Sequence, residues 1–248
     1  MPDKLSFAKF NSYKIFNIIS TRAWESINPF IGYNAISRIA KGLQIPEQEN
    51  EILKRIIFAE QVHGKNVHIC QTSDGGSIRL GVDGLISNGT DHILAIYSAD
   101  CIPLLLFDPK NKVVGAIHVG YKGLSQGIIT NCLREFQNNF NSQMSNIIIG
   151  IGPFIHVCCY EVKEDIFDFI EKLGWMKFLV KRNERFFLDL TSIVYQQLMI
   201  NGILKSNIEN INLCTSSRKD LLFSARQRTS EEETGSSIVS LISLTKNF

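Results

Sequence analysis

Three residues of this chain have side chains that could share one chemical centre: His63, Cys101 and His118. His63 lies in QVHG (61–64), a short polar break. Cys101 lies in SADCIP (98–103), between two apolar runs, and His118 ends the apolar run before GYKG (120–123). Two imidazoles and a thiolate form a zinc-type donor set, and three protein ligands with a fourth position open are typical of a catalytic site. The spacings match no short local zinc motif, so only a fold can bring the three together. The same residues also allow a metal-free reading. His118 could deprotonate Cys101, with Asp100 or another acid orienting the imidazole, to give a cysteine nucleophile. The two readings differ on whether the thiolate binds a metal or attacks a carbonyl.

Positioning them requires elements that end where they stand. Short β-branched and apolar runs recur at 67–71, 92–99, 101–108, 113–120 and 146–152, separated by the turn-forming stretches SDGGS, SNGTD and DPKNK. Helical spacing is expected over 45–61, 124–140, 162–174 and 189–203, the last starting at Asp189 and ending near Gly202. Strands interleaved with helices predict an α/β or α+β fold. The hairpin-like spacing of 92–120 predicts a mixed sheet. Pro103, two residues after Cys101, predicts a bend or a sheet edge there. No repeat or linker divides the chain, so 1–248 is expected to be a single domain.

Composition narrows the function classes. A net charge of +2 without a basic run gives no footprint for nucleic acid. The longest apolar runs, such as CIPLLLF (101–107), have strand length and are too short to cross a membrane. The first twenty residues lack the pattern of a signal peptide, so a cytoplasmic location is expected. The six cysteines then read as reduced thiols.

Six ordered motifs give the chain a resemblance to a known family: QVHG (61–64), DGLIS (83–87), SADCIPLLLFD (98–108), AIHVGYKGL (116–124), GPFIHVCCYEV (152–162) and CTSSRKDLLFSARQR (214–228). It resembles the YfiH-type proteins, first described as multicopper polyphenol oxidases (laccase-like). They were later described as purine nucleoside phosphorylases with adenosine deaminase activity, and some have been called peptidoglycan editing factors. The resemblance implies that His63, Cys101 and His118 are the metal ligands. It also implies a layered α/β/β/α domain with mixed sheets, similar to the catalytic domain of the cytotoxic necrotizing toxins. The chain departs from the family where HVGYKG places Tyr121 and Lys122 in place of Trp and Arg, and in the longer terminal stretch SARQRTSEEETGSS (224–237). A point ammonium does not replace a planar guanidinium fork in binding phosphate.

The implied activity is zinc-dependent phosphorolysis of adenosine, inosine and methylthioadenosine, with deamination of adenosine. The partners are then a purine nucleoside and phosphate. Lys122 and Arg226 are the expected phosphate contacts. Gln61 and Ser98 either hydrogen-bond substrate or cap turns, and Cys159 lines the pocket. Conventional zinc deaminases use a Glu proton shuttle in an H-x-E motif, which is missing here, so Asp100 and Glu161 are the candidate proton carriers. The alternatives are a Cys-His hydrolase acting on a peptidoglycan precursor and a laccase-like oxidase. Five histidines are too few for a multicopper centre, which leaves copper only as an adventitious ligand of an N/S site.

Overall fold

The computed structural model describes residues 2–27, 33–163, 166–228 and 235–245. Its strands are β1 (Lys4–Leu5), β2 (Phe16–Ser20), β3 (Ile56–Ala59), β4 (Val67–Ile69), β5 (Ser77–Arg79), β6 (Gly84–Ser87), β7 (Ile93–Ser98) and β8 (Ile102–Asp108). They continue as β9 (Val113–Val119), β10 (Ile148–Ile151), β11 (Glu161–Val162), β12 (Leu179–Arg182), β13 (Arg185–Leu188), β14 (Ile208–Asn210) and β15 (Ile238–Ser243). The helices are α1 (Ala8–Ser12), α2 (Tyr33–Leu43), α3 (Glu49–Arg55), α4 (Tyr121–Ser125), α5 (Ile128–Phe140), α6 (Phe167–Lys172) and α7 (Leu190–Ile200).

Among the described residues, the first large sheet runs β1-β2-β15-β7-β3-β5 and the second β14-β10-β8-β9-β6-β4. Both are mixed: β3 pairs parallel with β5 and β7, while β8 pairs antiparallel with β9 and β10. Side-chain alternation along each strand sorts the layers. In β7, Ile93 and Ala95 pack with Ala35, Ile36, Ile39 and Ala40 of α2, whereas Leu94 and Ile96 face the second sheet. In β8, Leu105 and Phe107 face the first sheet, and Ile102, Leu104 and Leu106 pack with residues of α5 and α7. The order is therefore helix, sheet, sheet, helix, the α/β/β/α arrangement expected from the resemblance.

Several expectations are corrected. The 45–61 segment is helical only to Arg55. Its apolar run Ile56–Ala59 is fully buried in strand β3, because four consecutive apolar residues suit a strand covered on both faces. The 124–140 helix is two helices, divided at Gly127, whose φ of 83° breaks the helical path. Over 162–174 the helix is Phe167–Lys172, with Val162 already in β11. The 189–203 expectation holds, with Asp189 capping Ser192 N–H at 3.1 Å. Pro103 is not at an edge. It is the second residue of the central strand β8, opposite His118, and the bend falls instead at Asp100, whose φ is 84°.

This topology concentrates the motif residues. The chain passes from the first sheet to the second between β3 and β4, between β5 and β6, and between β7 and β8. His63, Asp83 and Cys101 lie on these three crossings. His118 is near the end of β9, continuing the row Val114 and Ala116 that faces the first sheet.

Candidate active site

The donor atoms of His63, Cys101 and His118 lie within 4.8 Å of one another. The two imidazole rings meet edge to face, with centroids 4.8 Å apart. Asp83, which is fully buried, organises the group. Its Oδ1 accepts from His118 Nδ1 at 2.9 Å and from His63 N–H at 2.9 Å, and its Oδ2 accepts from Gly64 N–H at 2.7 Å. A carboxylate only accepts, so Nδ1 of His118 carries the hydrogen and Nε2 is left for Cys101. The His63 backbone is held at a φ of 60°, a conformation uncommon outside glycine and one that Asp83 pays for with two backbone hydrogen bonds.

Charge follows this arrangement. Burial alone would push the Cys101 thiol up, but His118 and His63 outweigh it and lower its pKa to about 6. Burial likewise opposes a charged His118, yet the Cys101 thiolate and Asp83 raise its pKa to about 9. The pair favours thiolate and imidazolium near neutral pH.

The donor set also fits a metal. Bonds of about 2.0–2.3 Å to tetrahedral zinc place its ligand atoms roughly 3.3–3.8 Å apart, compatible with this cluster after small side-chain adjustment. The space before the three donors is kept free by Gly120. A Cβ there would come within 3.1 Å of His63 Cδ2 and 3.2 Å of Cys101 Sγ.

A cleft of 360 Å³ is lined by Tyr121, Tyr160, Glu161, Val162, Lys163, Ile166 and Arg226. Tyr160 ties it to the centre: burial first, then the nearby Cys101 charge, raise its phenol pKa. Arg226 donates from Nη1 to Glu161 O at 3.0 Å, and its guanidinium lies 5.1 Å from the Tyr160 ring centroid. Its side chain is therefore in the cleft, as a phosphate contact must be. Lys122 is exposed and is not among the cleft residues.

The other expected residues are engaged elsewhere. Gln61 bridges to the β7 backbone, donating to Tyr97 O at 2.6 Å and accepting from Tyr97 N–H at 2.8 Å. Both ends of its amide are used, which favours the turn-fixing reading. Asp100 accepts from Thr215 Oγ1 at 2.5 Å and Arg226 N–H at 2.8 Å, fastening the Cys101 crossing to the 214–228 segment. Ser98 is buried, and its hydroxyl has no hydrogen-bond partner among the described residues. The Cys159 thiol is 3.2 Å from Ser217 Oγ and is not among the cleft residues. Of the terminal stretch 224–237, residues 229–234 lie outside the described residues.

Asp83 is the residue that sequence reasoning missed as a functional group. Its only signal is its place at the head of DGLIS, since an acid before a glycine usually marks a turn. Tyr160 was hidden in the same way, beside the more conspicuous Cys158 and Cys159.

With this geometry in hand, comparison with known proteins decides the family. Residues 19–245 match the family described as multi-copper polyphenol oxidoreductase laccase. The chain belongs to this family. Among its relatives, a purine nucleoside phosphorylase from Bacteroides thetaiotaomicron is 29% identical over 90% of this chain and 90% of its own. The purine nucleoside phosphorylase YlmD of Geobacillus stearothermophilus is 30% identical over 77% of this chain and 71% of its own. The crystal structure of the Bacillus licheniformis hypothetical protein YfiH superposes with a TM-score of 0.85 at 26% identity. It covers 99% of this chain and 97% of that one. All six cysteines are free, and among the described residues no helix is long and apolar enough to cross a membrane.

Proposed function

We propose that the chain is a single catalytic unit, a zinc-dependent purine nucleoside phosphorylase for adenosine, inosine and methylthioadenosine that also deaminates adenosine. The observation that carries this reading is the convergence of His63, Cys101 and His118 beside an aromatic and cationic cleft. The names of the relatives supply the substrate class. A zinc ion held by the three donors supplies Lewis acidity, able to polarise a purine nitrogen or lower the pKa of a water molecule. Asp83 holds His118 in the tautomer that presents Nε2. Tyr121 and Tyr160 offer rings on which a purine can stack. Arg226 binds phosphate, whose oxygen attacks C1′ as the glycosidic electron pair leaves with the base. Of the two candidate proton carriers, Glu161 is favoured, because both carboxylate oxygens of Asp100 are already bonded. Glu161 lines the cleft, and its carboxylate makes a 3.5 Å ion pair with Arg185.

Metal content should be measured alongside adenosine and inosine turnover, with and without phosphate, for wild type and Cys101→Ala. Stoichiometric zinc, with free base formed only when phosphate is present and lost in the variant, supports the reading. Zinc without nucleoside turnover sinks the substrate assignment.

A second reading has its own observation. Asp83, His118 and Cys101 stand in the order of an orienting acid, base and nucleophile, with the thiol pKa lowered to about 6. This favours a Cys-His hydrolase acting on a peptidoglycan precursor if the purified protein holds no zinc and is inactivated by alkylation of Cys101. Copper oxidase chemistry is disfavoured. Among the described residues only His63 and His118 are two histidines in one donor group, whereas His68 is bonded to Asp74, His92 to Ser87, and His156 lies against Phe154.

A further inference from the structure

Three of the remaining cysteines form a second group that the proposed reaction does not use. Cys158 Sγ is 3.4 Å from Cys159 Sγ, and Ser217 Oγ is 3.4 Å from the first and 3.2 Å from the second. Cys214 Sγ accepts from His156 N–H at 3.4 Å, and the three sulfurs all lie within 4.8 Å of one another. They come from two turns whose backbones are locked together. Thr215 N–H donates to Phe154 O at 3.0 Å and Phe154 N–H to Leu213 O at 3.3 Å, while Cys159 N–H donates to His156 O at 2.9 Å within its own turn. The cluster is thus assembled by the fold before any ligand arrives.

We propose that Cys158, Cys159 and Cys214 form a second metal site, a three-thiolate cradle for a thiophilic d10 cation, best matched by Cu(I). The donors are all sulfur, and soft thiolates select Cu(I) and similar ions over Mg²⁺, Ca²⁺ or Mn²⁺. Metal–sulfur bonds of about 2.3 Å set three sulfurs around one ion roughly 4 Å apart, which suits this spacing. Zinc is the weaker match, since a closed zinc site takes four strong ligands and Ser217 offers only a hydroxyl. That hydroxyl is placed to donate to thiolate sulfur. Exposed Cys158 provides the entrance, while Cys214 anchors the buried side. Binding exchanges up to three thiol protons, released to solvent, for metal–sulfur bonds, with no change of oxidation state. None of these residues belongs to the His63, Cys101 and His118 group, so the proposal stands apart from the nucleoside reading. The bound ion would clamp the turn before Tyr160 to the turn holding Thr215, the residue that fastens Asp100.

The test is anaerobic titration with Cu(I) against a chromogenic Cu(I) chelator, in the Cys101→Ala background that removes the thiolate of the first centre. One tightly held equivalent is expected, with an X-ray absorption spectrum showing sulfur ligands only. Adding Cys158→Ser should weaken retention at least tenfold, as should Cys214→Ser. Cys158 is exposed, so its serine variant should keep the wild-type circular dichroism spectrum. In the wild-type background, too, Cys158→Ser should remove one tightly held Cu(I) equivalent. Retention that ignores Cys158 and Cys214, or a ligand shell containing nitrogen, would overturn the proposal.

Discussion

Among the described residues, two places bring together histidine, cysteine and aspartate, and they differ in chemistry. One is the His63, Cys101 and His118 centre backed by Asp83. The other is His68, Cys70 and Asp74, whose donor atoms also lie within 4.8 Å of one another. In the second group His68 Nε2 meets Asp74 directly at 2.7 Å, and Arg79 approaches the other carboxylate oxygen at 3.1 Å. Asp74 is thereby spent. Burial, with the Asp74 charge added to it, pushes the Cys70 thiol up to about 12. In the first group the carboxylate stands behind the imidazole, whose free nitrogen faces the thiol, and Cys101 falls to about 6. Residue types are shared; the two groups differ in the side of the imidazole on which the acid sits, and the two thiols shift in opposite directions.

The largest effect should come from deleting the two sulfurs in turn. Cys101→Ala is expected to lower kcat/KM for nucleoside phosphorolysis by about a thousandfold or more, since the donor or nucleophile is lost outright. Cys70→Ala should leave kcat/KM within about twofold and cost about 1 kcal/mol of stability in a denaturant melt, as for trimming a small buried side chain. Equal losses of activity in the two variants would abolish the contrast.

Removing the acids sharpens it. Asp83→Asn leaves a side chain of similar shape but takes the negative charge from behind His118, so activity and metal affinity should each fall about 10–100-fold. Asp74→Asn should leave activity intact and lower stability by about 1–3 kcal/mol, because a buried carboxylate bonded to His68, Gln71 and Arg79 is replaced. If Asp83→Asn behaves like Asp74→Asn, Asp83 merely holds the fold together.

The contrast explains which parts were legible in the sequence. Strands β7, β8 and β9 could be read because their apolar runs are continuous and end at turn residues. The 45–61 stretch misled because Ile56, Ile57, Phe58 and Ala59 complete a helical spacing begun at Ile52. Only pairing with the distant strands β5 and β7, with one face buried against α2 and the other against the second sheet, decides for a strand. His63, Cys101 and His118 were identified by residue type and motif. Asp83 was not, because its role depends on the crossing that brings it behind a histidine 35 residues away. Gln61 and Asp100 lie in the motifs, yet both side chains fasten loops, Gln61 to the Tyr97 backbone and Asp100 to the Thr215 hydroxyl and the Arg226 backbone. Motif membership marks the neighbourhood of a site without separating the groups that touch substrate from those that hold the loops.

Alkylation of metal-free protein compares the two thiols in one tube. A lowered pKa keeps Cys101 as thiolate at pH 7.5, whereas Cys70 remains protonated. The lower intrinsic nucleophilicity of a low-pKa thiolate offsets part of that gain, leaving iodoacetamide with a preference for Cys101 of about 10–100-fold. The Cys101 rate should be flat above about pH 7 and fall roughly tenfold per unit below pH 6 as the thiolate takes its proton. Peptide mass spectrometry across pH reads both residues. A Cys101 profile still rising between pH 8 and 9 would mean that His118 does not lower this thiol.

The smallest effects should come from the two arginines. Arg226→Ala keeps the backbone N–H bond to Asp100, so it removes only the guanidinium beside Tyr160 and Glu161. KM for phosphate should rise about fivefold with kcat nearly unchanged, as expected when binding is lost equally from ground and transition states. Arg79→Ala removes a partly exposed partner of Asp74 and should cost less than about 1 kcal/mol, with no change in KM. Lysine at position 226 tests the guanidinium itself. A KM close to wild type in Arg226→Lys would reduce the role to simple charge, whereas a KM near that of Arg226→Ala would show that the planar fork is what the phosphate requires.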